Sequence, residues 1–115
     1  MIENLGVGID ICEIDRFRKI PYLKNKSFYK KNFSEEEIKF CLKFKDSAVH
    51  FAGKFALKEA VKKAISKNVS FQDIQTSHLD SKPIIKIKKM NEYHFMASIS
   101  HEKEFAIGVI ISELV

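Results

Sequence analysis

The chain has 115 residues, of which 45% are hydrophobic and 30% are charged, a composition typical of a soluble globular protein. This length predicts one domain over residues 1–115, with a core that needs no disulfide support. No apolar run approaches the ~18 residues that span a bilayer, so we expect no membrane partner. The two cysteines, Cys12 and Cys41, form no CxxC pair. This argues against a thiolate metal site and favours a reducing, cytoplasmic environment.

The net charge is +5, and the positive excess is concentrated near the N-terminus. Residues 16–31 contain seven basic side chains and no acidic one. These are Arg16, Arg18, Lys19, Lys24, Lys26, Lys30 and Lys31. Such a local field attracts an anionic partner, which by charge alone could be a nucleic acid, a nucleotide or an acidic protein. The alternative is a solvated surface of scattered lysines.

The first predicted element is a buried strand over residues 5–11, LGVGIDI, in which glycines allow close packing of the backbone. Asp10 interrupts this apolar run, either as the cap of the next helix or as a ligand. Residues 12–19 predict a short helix that Pro21 stops. Residues 22–33 predict a basic connection or a short helix.

Residues 34–45 predict a second helix, because Ser34 and Glu37 have the spacing of a capping box. A long helix follows at the centre of the chain. The C-terminal part after it is rich in strands, which are predicted at residues 74–78, 83–88, 94–100 and 105–111. The last of these is almost entirely apolar, which is typical of a central strand. The order predicts an α+β fold with an N-terminal strand, helices and then a mainly antiparallel sheet.

The long central helix covers residues 51–65, FAGKFALKEAVKKAI, and contains no proline. On a helical wheel, Glu59 shares its face with small and apolar residues, and Lys63 follows one turn later. Charges are rarely placed in such a face without a partner or a ligand. The alternative is an ordinary surface pair, because Glu and Lys four residues apart are common on helices and contribute only about 0.2–0.5 kcal/mol.

Three other lysines of this helix lie four residues apart, and we expect them to form a solvated edge. They are Lys54, Lys58 and Lys62.

Three separated motifs together resemble the holo-acyl-carrier-protein synthases, the small bacterial 4′-phosphopantetheinyl transferases. They are Gly8-Ile-Asp10 with the residues up to Arg16, the segment Phe51–Ala64 with Lys58-Glu59-Ala60 inside it, and Ser98-Ile-Ser-His101. The run from Ser70 to Ile74, and Lys82-Pro83 after it, are also similar to that family. The resemblance covers nearly the whole chain.

The resemblance implies transfer of 4′-phosphopantetheine from coenzyme A to a serine of apo acyl carrier protein, as in fatty acid biosynthesis. Asp10 and Glu59 would be ligands of Mg²⁺, a hard ion that takes few carboxylates and accepts phosphate oxygens. Lys63 would contact the pyrophosphate and assist departure of 3′,5′-ADP. The nucleophile would be the serine of the carrier protein, so the enzyme needs no nucleophile of its own. Either Glu59 or a metal-bound water would deprotonate that serine.

The resemblance also assigns residues to the two substrates. Lys54, Lys58 and His101 match positions that contact coenzyme A, and Arg16 matches the basic helix that docks the carrier protein. The turn at residues 65–68 departs from the family, which often has a glycine-rich turn there.

Short members of the family are homotrimers with active sites at subunit interfaces, which we therefore expect here. The competing hypothesis is a small RNA-binding domain that would use the basic run, with Tyr22, Phe28 and Tyr29 as stacking platforms. That hypothesis does not explain the Glu59–Lys63 pair, so we expect no nucleic acid partner.

Overall fold

Two antiparallel sheets lie against one long helix in the computed structural model, which describes residues 2–115. The strands are β1 (Leu5–Glu13), β2 (Ile74–Leu79), β3 (Lys82–Ile87), β4 (Tyr93–Glu102) and β5 (Phe105–Leu114). The helices are α1 (Asp15–Arg18), α2 (Lys26–Asn32), α3 (Glu35–Leu42) and α4 (Ser47–Ala64). Short 3₁₀ turns occur at Tyr22–Lys24 and Phe71–Asp73.

The larger sheet has the order β1-β5-β4, and β2 pairs with β3 in a separate hairpin. Asp10 of β1 lies opposite Gly108 of β5, which in turn lies opposite Ile99 of β4. The prediction that residues 105–111 form a central strand is confirmed, since β5 pairs on both sides. The predicted helix at residues 12–19 is shorter than expected, because β1 continues to Glu13 to complete its pairing with Phe105.

Helix α4 packs directly on the backbone of the larger sheet, at positions that have no side chain. A Cβ atom added to Gly8 would lie 1.8 Å from the carbonyl oxygen of Ala60, and one added to Gly108 would lie 2.7 Å from the amide nitrogen of Leu57. Neither distance is compatible with a real Cβ atom. Glycine at these two positions therefore sets the separation between helix and sheet.

The core has two clusters, and α4 contributes to both. One cluster is aromatic and joins α4 to the N-terminal helices; its largest members are Phe17, Tyr29, Phe33, Phe51 and Phe55. The other is aliphatic and joins α4 to the strands; it includes Leu57, Val61, Ile74, Ile85 and Ile110. The prediction of a long helix at the centre of the fold is confirmed. Within residues 2–115, no helix combines the length and the hydrophobicity that crossing a membrane requires.

The expectation of a solvated lysine edge on α4 is wrong for two of its three members. Lys54 is 2% exposed and Lys58 is 0% exposed, whereas Lys62 is exposed. Lys54 is covered by β2 and α3, and Lys58 is covered by α3, by the end of α2 and by the 3₁₀ turn at Phe71–Asp73. A helical wheel cannot reveal this cover, because the covering elements come from distant parts of the chain.

The capping box at the start of α3 is confirmed. The Ser34 hydroxyl accepts a hydrogen bond from the Glu37 amide at 3.2 Å, and the Glu37 carboxylate accepts one from the Ser34 amide at 2.8 Å. Glu37 is nevertheless buried, at 2% exposure, so its carboxylate also has partners beyond its own helix.

Candidate active site

Asp10 and Lys63 meet where β1 crosses α4. Side chains alternate along a strand, so Asp10 points to the same face as Gly6 and Gly8, the face that α4 covers. The Asp10 side chain is 18% exposed, and its Oδ1 accepts a hydrogen bond from Lys63 Nζ at 3.1 Å. The same ammonium donates to the carbonyl oxygen of Ile9 at 3.1 Å. Two residues 53 positions apart are thus brought into one ion pair.

Glu59 lies one helical turn before Lys63 and is half-buried. Phe55, Glu59 and Lys63 follow one another at intervals of four residues, so they line the same side of α4. The Arg16 guanidinium lies over the ring of Phe55, 4.7 Å from the ring centroid. Glu59 is therefore positioned between the turn that contacts Arg16 and the turn whose lysine holds Asp10.

The carboxylates of Asp10 and Glu59 suit a hard divalent cation. Among residues 2–115, the only ion pair of Asp10 is with Lys63, and Glu59 has no ion pair with another side chain. The same part of the chain contains no group of three His, Cys, Asp or Glu residues that could hold a metal ion. Two carboxylates fit Mg²⁺, which keeps several waters and completes its shell with substrate phosphates.

His101 is not brought to Asp10 within one chain. It is exposed near the end of β4, which is one edge of the larger sheet, whereas Asp10 lies on β1 at the other edge. Two strand spacings of about 4.8 Å separate these edges. His101 instead lies near the start of α4, where its charge helps to lower the pKa of His50; burial of His50 is the larger cause.

Lys54 borders a cavity of about 430 Å³ between α3 and β2. Its ammonium donates to the hydroxyl of Thr76 at 2.9 Å and to the carbonyl oxygen of Thr76 at 3.3 Å, and it lies 4.8 Å from the centroid of the Phe40 ring. Lys43 and His78 also line this cavity. Burial lowers the pKa of Lys54. One ammonium proton of Lys54 remains available, since the structure uses two of its three.

Lys58 has a different environment, because its side chain is 0% exposed. Its ammonium donates to Glu37 Oε1 at 2.7 Å, to the carbonyl oxygen of Asn32 at 2.8 Å and to that of Phe71 at 3.0 Å. Burial lowers the pKa of Lys58, and the Glu37 carboxylate opposes that shift. The sequence did not predict this role for Glu37, because the only local signal at this residue is the capping box. A buried partner 21 residues away leaves no local pattern.

The stacking platform required by the RNA-binding hypothesis is not formed. Tyr29 is 1% exposed, and its hydroxyl donates to the carbonyl oxygen of Ile20 at 2.7 Å. Tyr22 and Phe28 are partly buried against the same aromatic cluster. The aromatic residues of the basic segment therefore build the core.

Comparison with known proteins identifies the family of this chain. The model of the ACPS family, the 4′-phosphopantetheinyl transferase superfamily, matches residues 6–110. A protein from Geobacillus sp. named holo-[acyl-carrier-protein] synthase is 39% identical, over 95% of this chain and 96% of its own length. The chain belongs to the 4′-phosphopantetheinyl transferase superfamily, and the resemblance inferred from the three motifs is confirmed.

Solved structures of similar proteins share the whole fold. A holo-(acyl-carrier-protein) synthase from Bacillus anthracis in complex with CoA (3′,5′-ADP) matches with a TM-score of 0.82, at 33% identity over 96% of both chains. The Helicobacter pylori holo-[acyl-carrier-protein] synthase in complex with coenzyme A matches with a TM-score of 0.78, at 37% identity over 93% of this chain and 99% of the other. The predicted α+β fold is confirmed.

Proposed function

We propose that this chain transfers the 4′-phosphopantetheine group from coenzyme A to a serine of apo acyl carrier protein, releasing 3′,5′-ADP. The observation that carries the proposal is the contact of Lys63 on α4 with Asp10 on β1, at 3.1 Å, one helical turn beyond the half-buried Glu59. Relatives named for this activity match nearly the full length of the chain. We extend the proposal to a single transferase domain over residues 1–115 that acts in the cytoplasm.

Asp10 and Glu59 would hold Mg²⁺. Their carboxylates are hard oxygen donors, and Mg²⁺ typically binds through only one or two carboxylates together with waters and phosphates. When bound, the ion would neutralise charge that develops on the pyrophosphate oxygens of coenzyme A. The chain's own contribution is to place one carboxylate on a strand and the other on a helix, with their separation set by the glycine contacts of α4. Groups held on rigid elements in this way are preorganised for the charge that develops in the transition state.

In the transfer, the serine oxygen of the carrier protein forms a bond to the phosphorus next to the pantetheine. The bond from that phosphorus to the bridging oxygen breaks, and 3′,5′-ADP leaves with the electron pair. Lys63, whose ammonium already lies at Asp10, would stabilise the negative charge on the leaving group. Glu59, one helical turn before Lys63, has no ion-pair partner among residues 2–115, and it would accept the proton of the serine hydroxyl.

The two substrates would be held by different parts of the chain. Lys54 and His101 would contact coenzyme A, Lys54 through the proton that its contacts with Thr76 leave available. Arg16 is exposed in α1, beside the side of α4 that carries Glu59. It would dock an acidic carrier protein next to the reacting groups, and the basic residues 16–31 would extend the complementary field.

We also propose a homotrimer, which the apolar outer face of the larger sheet supports. This face lies opposite α4, and its exposed side chains include Val7 at 69%, Ile9 at 59%, Ile11 at 59% and Met96 at 71%. Pairing places Val7, Ile111 and Met96 in one row across the three strands. An apolar patch of this kind is unusual on a monomer and is typical of an interface. Self-association would also bring His101 of one subunit near Asp10 of another.

The activity is tested with purified protein, coenzyme A, Mg²⁺ and an apo acyl carrier protein. Mass spectrometry of the carrier should show the mass of the phosphopantetheinyl group on its serine, and omission of Mg²⁺ should remove the product. The absence of any adduct on a cognate carrier, with a protein shown to be folded by circular dichroism, would refute the proposal.

A further inference from the structure

Lys58 and Glu37 form a closed network of buried charges beside Glu59. The side chain of Lys58 is 0% exposed and that of Glu37 is 1% exposed. An ammonium has three protons, and all three of those on Lys58 are donated within the chain. Glu37 Oε2 accepts hydrogen bonds from the Thr76 amide at 2.8 Å and from the Thr76 hydroxyl. Among residues 2–115, no buried side-chain polar atom lacks a partner.

The network joins α4 to three other elements. Asn32 ends α2, Glu37 lies in the first turn of α3, and Phe71 begins the 3₁₀ turn before β2. All three are attached to α4 through the single ammonium of Lys58. On another side, α4 rests on the backbone of the larger sheet at Gly8 and Gly108. The helix is therefore held from two sides, which fixes its rotation about its own axis.

Rotation of α4 controls the position of Glu59. Lys58 and Glu59 are consecutive residues of one helix, about 100° apart around its axis. Any rotation of α4 about this axis therefore turns both side chains through the same angle. Replacing both members of a buried ion pair by apolar residues of similar volume is often neutral or stabilising, whereas removing one member alone is costly. A geometric role accounts for the charges better than a contribution to stability.

We propose that Lys58 and Glu37 are a positioning pair that orients Glu59, and that Lys58 does not contact coenzyme A. This proposal rests on the magnesium-dependent transfer proposed above. It differs from the role that family resemblance implies for Lys58, because a contact with coenzyme A would require that ammonium to abandon an internal partner. Lys54 keeps its role at the coenzyme A site, because it borders a cavity and retains a free proton.

The test compares Lys58→Met and Glu37→Gln with the wild-type full-length chain in two measurements. Calorimetric titration with 3′,5′-ADP measures binding of the nucleotide without the pyrophosphate bridge. Initial rates over a series of Mg²⁺ concentrations give kcat and the concentration for half-maximal activity. For both variants we expect 3′,5′-ADP affinity within about twofold of wild type, because neither residue contacts the nucleotide in our proposal. Loss of a direct hydrogen bond between a lysine and a phosphate would instead weaken the affinity by about tenfold or more. We expect kcat to fall by about a hundredfold, as for a catalytic group displaced by ~1 Å, and half-maximal activity to need more Mg²⁺.

Two controls separate positioning from general loss of stability. Val69→Ala removes bulk from the aliphatic core cluster, and Glu35→Gln neutralises an exposed acid at the start of α3. We expect both to keep the wild-type Mg²⁺ dependence at temperatures where they are folded. The double variant Glu37→Gln with Lys58→Met should be no less active than Lys58→Met alone, because residues that act as a unit have non-additive effects.

Weaker binding of 3′,5′-ADP to Lys58→Met by about tenfold or more would make Lys58 a direct ligand and overturn the proposal. Wild-type Mg²⁺ dependence in both variants would overturn it as well. If Lys58→Met does not fold, Glu37→Gln carries the same comparison, since its amide retains the size of the carboxylate. An inactive wild-type chain would refute the proposed transfer itself, which keeps the two failures distinct.

Discussion

At the scale of single residues, the decisive feature is that side chains of the same chemical type have opposite environments in different parts of the fold. Asp10 and Glu59 lie at an accessible helix–strand contact with few partners, whereas Glu37 is enclosed and fully hydrogen-bonded. Lys63 is exposed, whereas Lys58, five residues earlier in the same helix, is completely buried. Partnership and exposure, and not residue type, separate the groups available for chemistry from those that hold the structure.

The first residue-scale prediction concerns the two proposed metal ligands. We expect Asp10→Ala and Glu59→Ala each to reduce transfer by more than about a hundredfold, since loss of the ion removes several kcal/mol of transition-state stabilisation. Mass spectrometry of the carrier measures the transfer, and circular dichroism checks the fold. Glu13→Ala, which removes an exposed acid from the same strand, is the matched control and should remain active. Full activity in either test variant would exclude that residue from the metal site.

The second residue-scale prediction concerns Cys41, which is 0% exposed. Burial raises the pKa of this thiol from 9.0 to about 12. Above pH 9 the unfolded chain loses the thiol proton while the folded chain keeps it, so alkaline pH favours unfolding. From pH 8 to pH 10 this residue should reduce the free energy of unfolding by about 1.4 kcal/mol, the value of one pKa unit.

Urea denaturation of wild type and Cys41→Ala at both pH values measures this contribution. Cys41→Ala should be less stable than wild type at pH 8, because it leaves a cavity, but should lose about 1.4 kcal/mol less on going to pH 10. Using the difference between the two chains cancels the titration of groups that Cys41 does not influence. Equal losses in both chains would contradict the prediction.

At the scale of elements, α4 has a double function. It carries Glu59 and Lys63 of the proposed site, and it contributes residues to both core clusters. Its close approach to the larger sheet depends on glycine, since a Cβ on Gly8 or Gly108 would overlap backbone atoms of the helix. The geometry of the proposed site and the packing of the core therefore depend on the same contact between helix and sheet.

We expect Gly8→Ala to lower the free energy of unfolding by about 3 kcal/mol or more, because overpacking against backbone cannot be relieved by a rotamer change. Gly53→Ala is the matched control in α4. Its added Cβ would lie 3.2 Å from a methyl group of Ile99, and the gain in helix propensity of about 1 kcal/mol offsets this tight contact. Chemical denaturation measures both variants. Similar stabilities for the two would show that the helix–sheet separation is not set by glycine.

At the scale of the whole molecule, the unusual feature is a sheet with α4 on one face and exposed apolar side chains on the other. Completion of the site by a neighbouring subunit would explain why His101 and Asp10 lie at opposite edges of the sheet. It would also explain why an apolar row crosses all three strands. Assembly and activity should then be lost together.

We expect Val7→Glu and Met96→Glu to convert the assembly to monomers, because each places a charge within the apolar row. Analytical ultracentrifugation measures the size, and the carrier-protein assay measures transfer, which should fall with the loss of the assembly. Lys86→Glu, an exposed change on β3 in the other sheet, is the control for altered charge. A wild-type chain that sediments as a monomer, or monomeric variants with full activity, would contradict this prediction.

The sequence by itself determined the α+β class, the long central helix, the capping box at Ser34 and the family, because local periodicity and motif spacing record those features directly. Only the tertiary structure decided that Asp10 and Lys63 touch, that Lys54 and Lys58 are buried and that Glu37 holds Lys58. These contacts join elements 21 to 53 positions apart in the chain. A helical wheel describes one element alone, whereas burial depends on which distant segment covers each face.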